Sequence, residues 1–303
     1  MANKKYEFTT PILYLAFNRL DLVKRTFAQI QKVKPTKVFI ACDGPRTEKE
    51  KGETDGVRKW ILENINWECE VKTLFRKKNL GCRLASNGAI DWFFKSVKEG
   101  IVLEDDDLAN ESFFKFCEEM LEKYRNEKKV MSISGYNFIR NLRIKESYYF
   151  SKYFECWGFA LWKRSWERQD LYVKKYLKLK ESGELKKYIS NPIERILWNK
   201  RVKNILNGKV SSWSYCFYLS HILNNGLCIT PRVNLIKNIG FSANSTHTKE
   251  NIVDGKFLDL PSESLSFPLI HPKKVELNKK FSFMWFLKDL TRVFLKKILL
   301  IKK

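Results

Sequence analysis

The sequence lacks the glycine-rich motifs that bind phosphate groups. Its 303 residues contain neither G-x-G-x-x-G nor G-x-x-x-x-G-K-[ST]. The first motif is typical of dinucleotide-binding proteins and the second of P-loop proteins, so neither class is supported. If the protein handles phosphates, we expect a metal ion rather than a glycine-rich loop to hold them.

Long apolar runs are also missing. No stretch reaches the ~18 consecutive apolar residues that a membrane-spanning helix needs. The apolar run at 11–17 is followed at once by Asn18-Arg19-Leu20-Asp21, which does not fit a cleavable signal peptide. We therefore expect no membrane-spanning helix and no cleaved leader.

Paired cysteine motifs are absent. The chain has seven cysteines, an odd number, with no C-x-x-C pair and no short-spaced cluster. This pattern argues against a disulfide framework and against a structural zinc site. We expect reduced thiols, as in a cytoplasmic protein, at Cys42, Cys69, Cys82, Cys117, Cys156, Cys216 and Cys228.

Acidic residues are scarce relative to basic ones. There are 34 Asp and Glu against 57 Lys and Arg, which gives a formal net charge of +23. So basic a chain predicts a polyanionic partner, and charge alone does not choose among nucleic acid, an anionic membrane surface and phosphorylated substrates. The 44% hydrophobic content supports a substantial core.

Despite this scarcity, four carboxylates are consecutive in Glu104-Asp105-Asp106-Asp107, directly after the apolar run 101–103. Hard oxygen ligands at a strand end suit Mg²⁺ or Mn²⁺, which such sites usually hold together with substrate phosphates. The alternative is that Asp107 or a neighbour caps the helix that begins near residue 110. These four residues alone leave both interpretations open.

Strand and helix patterns alternate over the first third of the chain. Strands are predicted at 11–17, 37–42, 70–75 and 101–103, with helices at 20–33, 55–64 and 83–96. This order predicts a parallel sheet, whose ligands lie at the carboxyl ends of the strands. Arg19, Asp43 and the four acids follow three such strands, so we expect them to form one site. Because these acids would repel nucleic-acid phosphates unless a metal were bound, we expect no nucleic-acid partner.

The second part of the chain is rich in aromatic residues from Tyr148 onward, and its pattern differs from the first. A long helical stretch at 162–207 is predicted to break near Gly183 and at Asn191-Pro192. Core packing accounts for many of the aromatic residues, but Trp157-Gly158 suggests a sugar-binding surface, since sugar faces pack on aromatic rings.

The last segment, 273–303, carries nine Lys and one Arg against one Asp and one Glu, a net charge of 10 − 2 = +8. Apolar residues recur in it at helical spacing. A basic amphipathic helix over 281–303 with several aromatic residues is typical of helices that lie in an anionic membrane surface. The alternative is a C-terminal helix that docks on the protein. The apolar residues are Phe283, Phe286, Leu287, Leu290, Phe294, Ile298 and Ile301.

Seven motifs in order, over about residues 11–248, resemble nucleotide-sugar glycosyltransferases of the GT-A fold, most closely the N-acetylglucosaminyltransferase I type and related bacterial enzymes. The resemblance implies a Rossmann-like mixed α/β sheet with flanking helices, divided into a nucleotide-sugar-binding half (1–130), an acceptor-binding half (131–272) and the tail (273–303). The motifs are Leu15-Ala16-Phe17-Asn18-Arg19, Ala41-Cys42-Asp43-Gly44, Val102-Leu103-Glu104-Asp105-Asp106, Ser132-Ile133-Ser134-Gly135-Tyr136-Asn137, Trp157-Gly158-Phe159, Gly226-Leu227-Cys228-Ile229-Thr230-Pro231 and Asn238-Ile239-Gly240-Phe241.

The resemblance also implies roles for individual residues. Arg19 and Asp43 match residues that hold the nucleotide, Glu104 one that contacts the donor sugar, and Asp105 one that contacts the ribose. Asp106 matches the direct ligand of Mn²⁺ or Mg²⁺. His247 lies in a loop that covers the donor in the family, with an ordinary loop histidine as the alternative. The acceptor side is implied for Trp157, Gly158 and Trp213.

One position departs from the family pattern. An inverting transferase needs a carboxylate to take the proton of the acceptor hydroxyl, and in the family an acid follows the tryptophan that here is Trp213. This chain has Ser214 there. Either another acid takes that role, with Glu155 and Glu194 as candidates, or the alignment shifts here, or the chain transfers slowly or not at all.

The sequence therefore predicts a metal-dependent, inverting glycosyltransferase on the cytoplasmic face of the membrane. We expect it to move a sugar from a nucleotide-diphosphate donor, with a UDP-sugar favoured, to a lipid-linked or other bacterial surface-glycan acceptor. The alternative is a catalytically weak or inactive protein of the same fold that binds sugar nucleotides or glycans.

Overall fold

The secondary structure alternates between strands and helices in the first half of the chain and becomes mostly helical later. The computed structural model describes residues 7–139, 142–240 and 259–301. Its strands are β1 (Ile12–Ala16), β2 (Lys37–Cys42), β3 (Glu70–Phe75), β4 (Glu99–Glu104), β5 (Asp107–Ala109), β6 (Val130–Ser134), β7 (Tyr148–Ser151), β8 (Phe159–Trp162), β9 (Leu227–Pro231) and β10 (Ile236–Asn238). Its helices are α1 (Leu20–Val33), α2 (Glu48–Glu63), α3 (Gly81–Ser96), α4 (Glu111–Lys123), α5 (Lys163–Trp166), α6 (Lys174–Glu181), α7 (Pro192–Leu206), α8 (Ser214–Leu223) and α9 (Lys279–Ile301), with a 3-10 helix at Glu184–Lys187.

Eight strands form one central sheet in the order β3-β2-β1-β4-β8-β6-β9-β7. The first four are mutually parallel, and β6 and β9 also pair in parallel, whereas β8 and β7 are antiparallel to their neighbours. A small second sheet pairs β10 with β5. Both predicted halves of the chain, 1–130 and 131–272, contribute strands to the central sheet.

The core lies on both faces of the sheet because the side chains of β1 alternate between them. Ile12 and Tyr14 point to the face covered by α1 and α4, and Leu13 and Leu15 to the face covered by α3 and α8. Helix α9 packs on this second face. The predicted Rossmann-like mixed α/β sheet with flanking helices and a C-terminal helix is confirmed.

Most predicted elements are present, with one substantial difference in length. Helix α2 begins at Glu48 instead of near residue 55, because the Thr47 side chain accepts a hydrogen bond from Glu50 N at 3.2 Å and caps the helix. The predicted breaks in the later helical stretch are present. Gly183 adopts φ of +72°, and Asn191 caps α7. All seven cysteines are free thiols.

Helix α9 is docked on the protein over its first half. Phe281, Trp285 and Phe286 are buried, and so is the carboxylate of Asp289, which pairs with Arg201. Of the apolar residues expected to form one membrane-facing stripe, Phe286 therefore points inward, whereas Phe283, Leu287 and Phe294 are exposed. Within the described residues, none of the helices combines the length and apolarity needed to cross a bilayer.

Candidate functional site

The carboxyl ends of β1, β2 and β4 bring the predicted polar residues into one cavity. The strands are adjacent and in register, with Ala16 opposite Cys42 and Leu15 opposite Glu104. The cavity, which we call the edge cavity, has a volume of about 220 Å³. Among its lining residues are Asn18, Arg19, Asp43, Arg46, Arg76, Asn79, Cys82, Ser86, Glu104 and Asp105.

Arg19 forms ion pairs with two of the four acids. Its guanidinium donates to Asp105 in a very short contact and to Asp106 Oδ2 at 3.0 Å. Asp105 is only 4% exposed and also accepts a hydrogen bond from Phe17 N at 3.3 Å. Burial raises the pKa of Asp105 to about 6, although Arg19 acts in the opposite direction. In this structure Arg19 therefore offsets part of the negative charge of the acid cluster, in addition to lining the cavity.

Glu104 stands at the end of β4, where the edge cavity meets the aromatic core. The indole N–H of Trp213 donates to its Oε1 at 3.4 Å. Burial, followed by the charge of Asp106, raises the pKa of Glu104 to about 8. Trp213 is itself only 2% exposed, with its ring 5.5 Å from that of Phe159. Trp213 contacts the site through its hydrogen bond to Glu104.

Asp107 is not a helix cap, so that alternative is wrong. Asn110 caps α4 by accepting a hydrogen bond from Phe113 N at 3.2 Å. The carboxylate of Asp107 instead accepts hydrogen bonds from Glu104 N at 3.0 Å and from Gly158 N at 2.8 Å. Burial raises the pKa of Asp107 well above its ordinary value. Asp107 thus connects the acidic turn to the segment before β8 through these hydrogen bonds.

Gly158 is required by the backbone at this point. Its φ is +54°, and a Cβ there would lie 2.5 Å from Cδ1 of Ile236. Gly158 is buried, whereas Trp157 beside it is only partly buried. Of these two residues implied for the acceptor side, only Trp157 offers a side chain to a cavity.

The acid cluster has features that fit a divalent cation. Asp106 Oδ1 and Asp107 Oδ1 are buried and accept no hydrogen bond within the described ranges. Gly240 approaches Asp106 so closely that a Cβ would lie 2.2 Å from its Oδ2. No group of three or more His, Cys, Asp or Glu forms a ready-made metal site in the part of the chain that the structure describes. Such a donor set suits a cation that takes its remaining ligands from substrate phosphates and water, as Mg²⁺ commonly does.

Asp43 has a structural role that the sequence did not reveal. Its carboxylate accepts hydrogen bonds from Gly44 N at 2.9 Å, Leu80 N at 3.0 Å and Gly81 N at 3.0 Å. It thereby fixes the turn after β2 against the start of α3. Any contact of Asp43 with a nucleotide would be made by a carboxylate already held by three backbone amides.

Two basic residues of the edge cavity were missed by the sequence analysis. Arg46 follows the turn after β2, and Arg76 follows the last residue of β3. The rule that located Arg19 and Asp43, a polar residue just past a parallel strand, would also have found Arg76. With Arg19, these arginines give the cavity three cations next to its carboxylates.

A second cavity, which we call the aromatic cavity, lies behind Trp213 and has a volume of about 170 Å³. It contains Ser214, the residue that stands where an acid was expected, and the candidate acid Glu155. Glu194 is not brought to it. Glu194 is buried, binds Lys152 Nζ at 2.7 Å and faces a separate cavity. The lining residues of the aromatic cavity include Phe138, Phe154, Glu155, Cys156, Trp157, Arg201, Ser214, Tyr218, Trp285 and Asp289.

His247, the remaining predicted site residue, lies outside the described residues. Its proposed position over the donor therefore stays a prediction.

Comparison with known proteins gives only distant structural likeness. No protein-family model and no curated protein matches the chain. Among solved structures, a mannosyltransferase from Pyrobaculum calidifontis, in complex with GDP-Man and Mn²⁺, is 14% identical with a TM-score of 0.37, covering 52% of this chain and 45% of that one. S. aureus TarS 1-349 is 11% identical with a TM-score of 0.35, covering 55% and 49%. The match thus spans about half the length of each of these two proteins.

A UDP-glucose pyrophosphorylase in its apo form is 11% identical with a TM-score of 0.34, covering 73% of this chain and 90% of that one. Likeness at these identities and scores does not establish a shared family or activity.

Proposed function

We propose that the chain is a glycosyltransferase that binds a nucleotide-diphosphate sugar, with a UDP-sugar favoured, together with Mn²⁺ or Mg²⁺ in the edge cavity. The observation that supports this most directly is the presence of three arginines in the edge cavity, at the end of a parallel sheet, beside an acid cluster in which two buried carboxylate oxygens have no hydrogen-bond partner among the described residues. Arginines suit phosphate oxygens, and the carboxylates suit a cation bridging the same phosphates. This arrangement is compatible with the metal-ligand role that the GT-A resemblance implies for Asp106.

In this proposal five residues of the edge cavity, and the neighbouring Asp106, have defined tasks. Arg46 and Arg76 bind the diphosphate, Asp105 faces the ribose, and Glu104 faces the donor sugar. Asp106 holds the metal ion through the oxygen not bound to Arg19. The bound cation would neutralise the charge that develops on the diphosphate as the bond to the sugar breaks. Arg19 keeps the acids compatible with burial before the metal binds.

Calorimetry of UDP binding with and without Mn²⁺ tests this proposal. Asp106→Asn should lower the Mn²⁺-dependent affinity for UDP by at least about tenfold, since even residues that only support a metal ligand contribute that much. Asp21→Asn is the control, because Asp21 is exposed on α1. Unchanged Mn²⁺-dependent binding in Asp106→Asn would exclude Asp106 as the ligand.

The alternative, a protein that binds sugar nucleotides without transferring the sugar, rests on Ser214 in the aromatic cavity. Tight binding of UDP and Mn²⁺ with no release of the nucleoside diphosphate from any of a panel of UDP- and GDP-sugars would favour it.

We also propose that the protein works at an anionic membrane surface, where a lipid-linked acceptor would be found. The outward face of α9 supports this proposal. Phe283, Leu287 and Phe294 are 58%, 43% and 62% exposed and recur at helical spacing, with Met284 beside them. Exposed lysines precede them, and the whole segment carries a net charge of +8, which complements anionic lipids. These lysines are Lys273, Lys274, Lys279 and Lys280.

A further inference from the structure

We propose that the aromatic cavity receives a saccharide acceptor, and that Glu155 accepts the proton of the attacking acceptor hydroxyl. This inference rests on the proposed glycosyltransferase function and assigns the residue that the family pattern leaves open at Ser214.

The lining of the aromatic cavity has the chemistry of a saccharide site. The rings of Trp157, Tyr218 and Trp285 provide apolar faces against which the C–H faces of a sugar pack. Ser214 and Glu155 provide polar groups for hydroxyls, while Arg201 and Asp289 are paired with each other. Because acidic and basic groups are balanced here, the lining favours a neutral saccharide over a free phosphate.

The aromatic cavity adjoins the acid cluster through two hydrogen bonds. Trp213 donates to Glu104, and Ser214, the next residue, lines the aromatic cavity. Gly158 donates to Asp107, only three residues after Glu155. An acceptor in this cavity would therefore lie beside the donor sugar that we place at Glu104.

Cys156, the residue after Glu155, also lines the aromatic cavity. Burial raises the pKa of its thiol well above the ordinary value, and the charges of Glu104, Glu155 and Asp107 raise it further.

Glu155 is held firmly and remains accessible from the cavity. Its backbone N–H donates to Ser134 Oγ at 3.1 Å, and the same hydroxyl donates to its carbonyl oxygen at 2.9 Å. The indole of Trp285 donates to its Oε1 in a very short contact. The side chain is only partly buried, since it faces the cavity. A base fixed in this way needs little reorganisation when an acceptor binds.

The electrostatic surroundings of Glu155 suit proton transfer near neutral pH. Burial raises its pKa to about 7. The indole of Trp285 and the cations Arg292 and Lys288 lower the pKa, whereas Asp289 raises it. From the sheet, Tyr149 and Cys228 face the carboxyl as neutral groups whose own pKa values are raised by burial. A general base works best with a pKa close to the operating pH.

In this proposal the sugar is transferred in a single displacement. The acceptor hydroxyl oxygen forms a bond to the anomeric carbon, and the bond from that carbon to the diphosphate breaks. The electron pair of the broken bond leaves with the nucleoside diphosphate. The hydroxyl proton passes to Glu155 and afterwards to solvent. Attack from the side opposite the leaving group inverts the configuration.

UDP release from the UDP-sugar that binds best, with water as acceptor, tests the assignment. Glu155→Gln should lower the rate by about 100-fold or more, which is the usual contribution of a general base, and leave Mn²⁺-dependent UDP binding within about threefold. Glu194→Gln tests the other candidate acid and should leave the rate nearly unchanged. A Glu155→Gln rate close to that of the unaltered chain would overturn the proposal.

Two further outcomes separate this inference from the proposed function. If the unaltered chain binds UDP and Mn²⁺ but releases no UDP from any donor, the base assignment fails while the donor site stands. If it binds neither, the proposed function fails. Retained UDP binding also shows that Glu155→Gln is folded.

The pH profile provides a readout that a purely structural role would not change. For the unaltered chain we expect the rate to rise with pH through about 7 as Glu155 loses its proton. Trp285→Phe removes a donor that stabilises the carboxylate, so the rise should move to higher pH. A uniformly lower rate with the rise at the same pH would contradict the contact of Trp285 with the base.

Discussion

The carboxylate of Asp107 accepts a hydrogen bond from the backbone N–H of Gly158 at 2.8 Å. This contact joins the first residue of β5 to the segment before β8, and the two residues are 51 positions apart in the chain. It brings the acids of the edge cavity next to Glu155 and Trp157. The geometry of both cavities therefore depends on one buried carboxylate that touches neither proposed substrate.

We predict that Asp107→Ala lowers the free energy of unfolding by about 1–3 kcal/mol, because two buried backbone N–H groups lose their acceptor. Asp107→Asn should cost less, since an amide oxygen still accepts a hydrogen bond and the raised pKa of Asp107 already favours a neutral group. Urea denaturation of the two variants measures the difference. Equal losses would show that the acceptor oxygen is not what stabilises this turn.

His221 makes the fold sensitive to acid. It is buried against Ser132, with Nε2 3.0 Å from the Ser132 hydroxyl, and its ring stacks on Phe154. Burial lowers its pKa from 6.5 to about 3. The unfolded chain therefore binds a proton between these values that the folded chain does not bind, so stability falls as the pH drops from about 6.5 towards 3.

We expect His221 to contribute a slope of up to about 1.4 kcal/mol per pH unit in that window. His221→Phe keeps an apolar ring in place and removes the titrating group. Denaturation between pH 4 and 7 should give a flatter dependence of the unfolding free energy for this variant, whatever its absolute stability. An unchanged slope would show that other groups control the acid response.

The sequence was most informative where local pattern decides structure. Apolar runs that end in polar residues predicted β1, β2 and β4. They also predicted that Arg19 lies close to the acids, because parallel strands bring their carboxyl ends to one edge of the sheet. The limits appeared where distant residues decide. Nothing local to Asp43 reveals that backbone amides near residue 80 occupy its carboxylate. Likewise, an amphipathic pattern in α9 cannot distinguish a protein-facing side from a lipid-facing one when both are apolar.

The ion pair between Arg201 and Asp289 should be necessary for docking of α9. Asp289 is 1% exposed, and Arg201 and Arg292 hold its pKa below the ordinary value against the effect of burial. Asp289→Ala leaves both arginines without this carboxylate, and we expect a loss of about 3–5 kcal/mol of unfolding free energy. Thr291→Ala, at an exposed position two residues later, is the control and should cost less than about 1 kcal/mol. A small loss in Asp289→Ala would show that the buried aromatic residues alone hold the helix.

The outward face of α9 should govern attachment to anionic vesicles. Replacing Phe283, Leu287 and Phe294 by Ser removes apolar groups that would each contribute up to about 1.5–3 kcal/mol if fully buried in lipid. We therefore expect binding at least about 100-fold weaker, which corresponds to about 2.8 kcal/mol. Co-sedimentation with vesicles of anionic phospholipid measures it, and neutral vesicles should bind the unaltered chain less.

Point substitutions are needed here, because a truncation at residue 272 would also remove the buried Trp285 and the Asp289 ion pair. It would therefore unfold part of the core and disturb the aromatic cavity. The matched control is Ile193→Ser with Ile196→Ser and Leu206→Ser, which removes three similarly exposed apolar groups from α7. If both sets of substitutions weaken binding equally, attachment depends on general surface apolarity and charge, and the outward face of α9 is not the membrane contact.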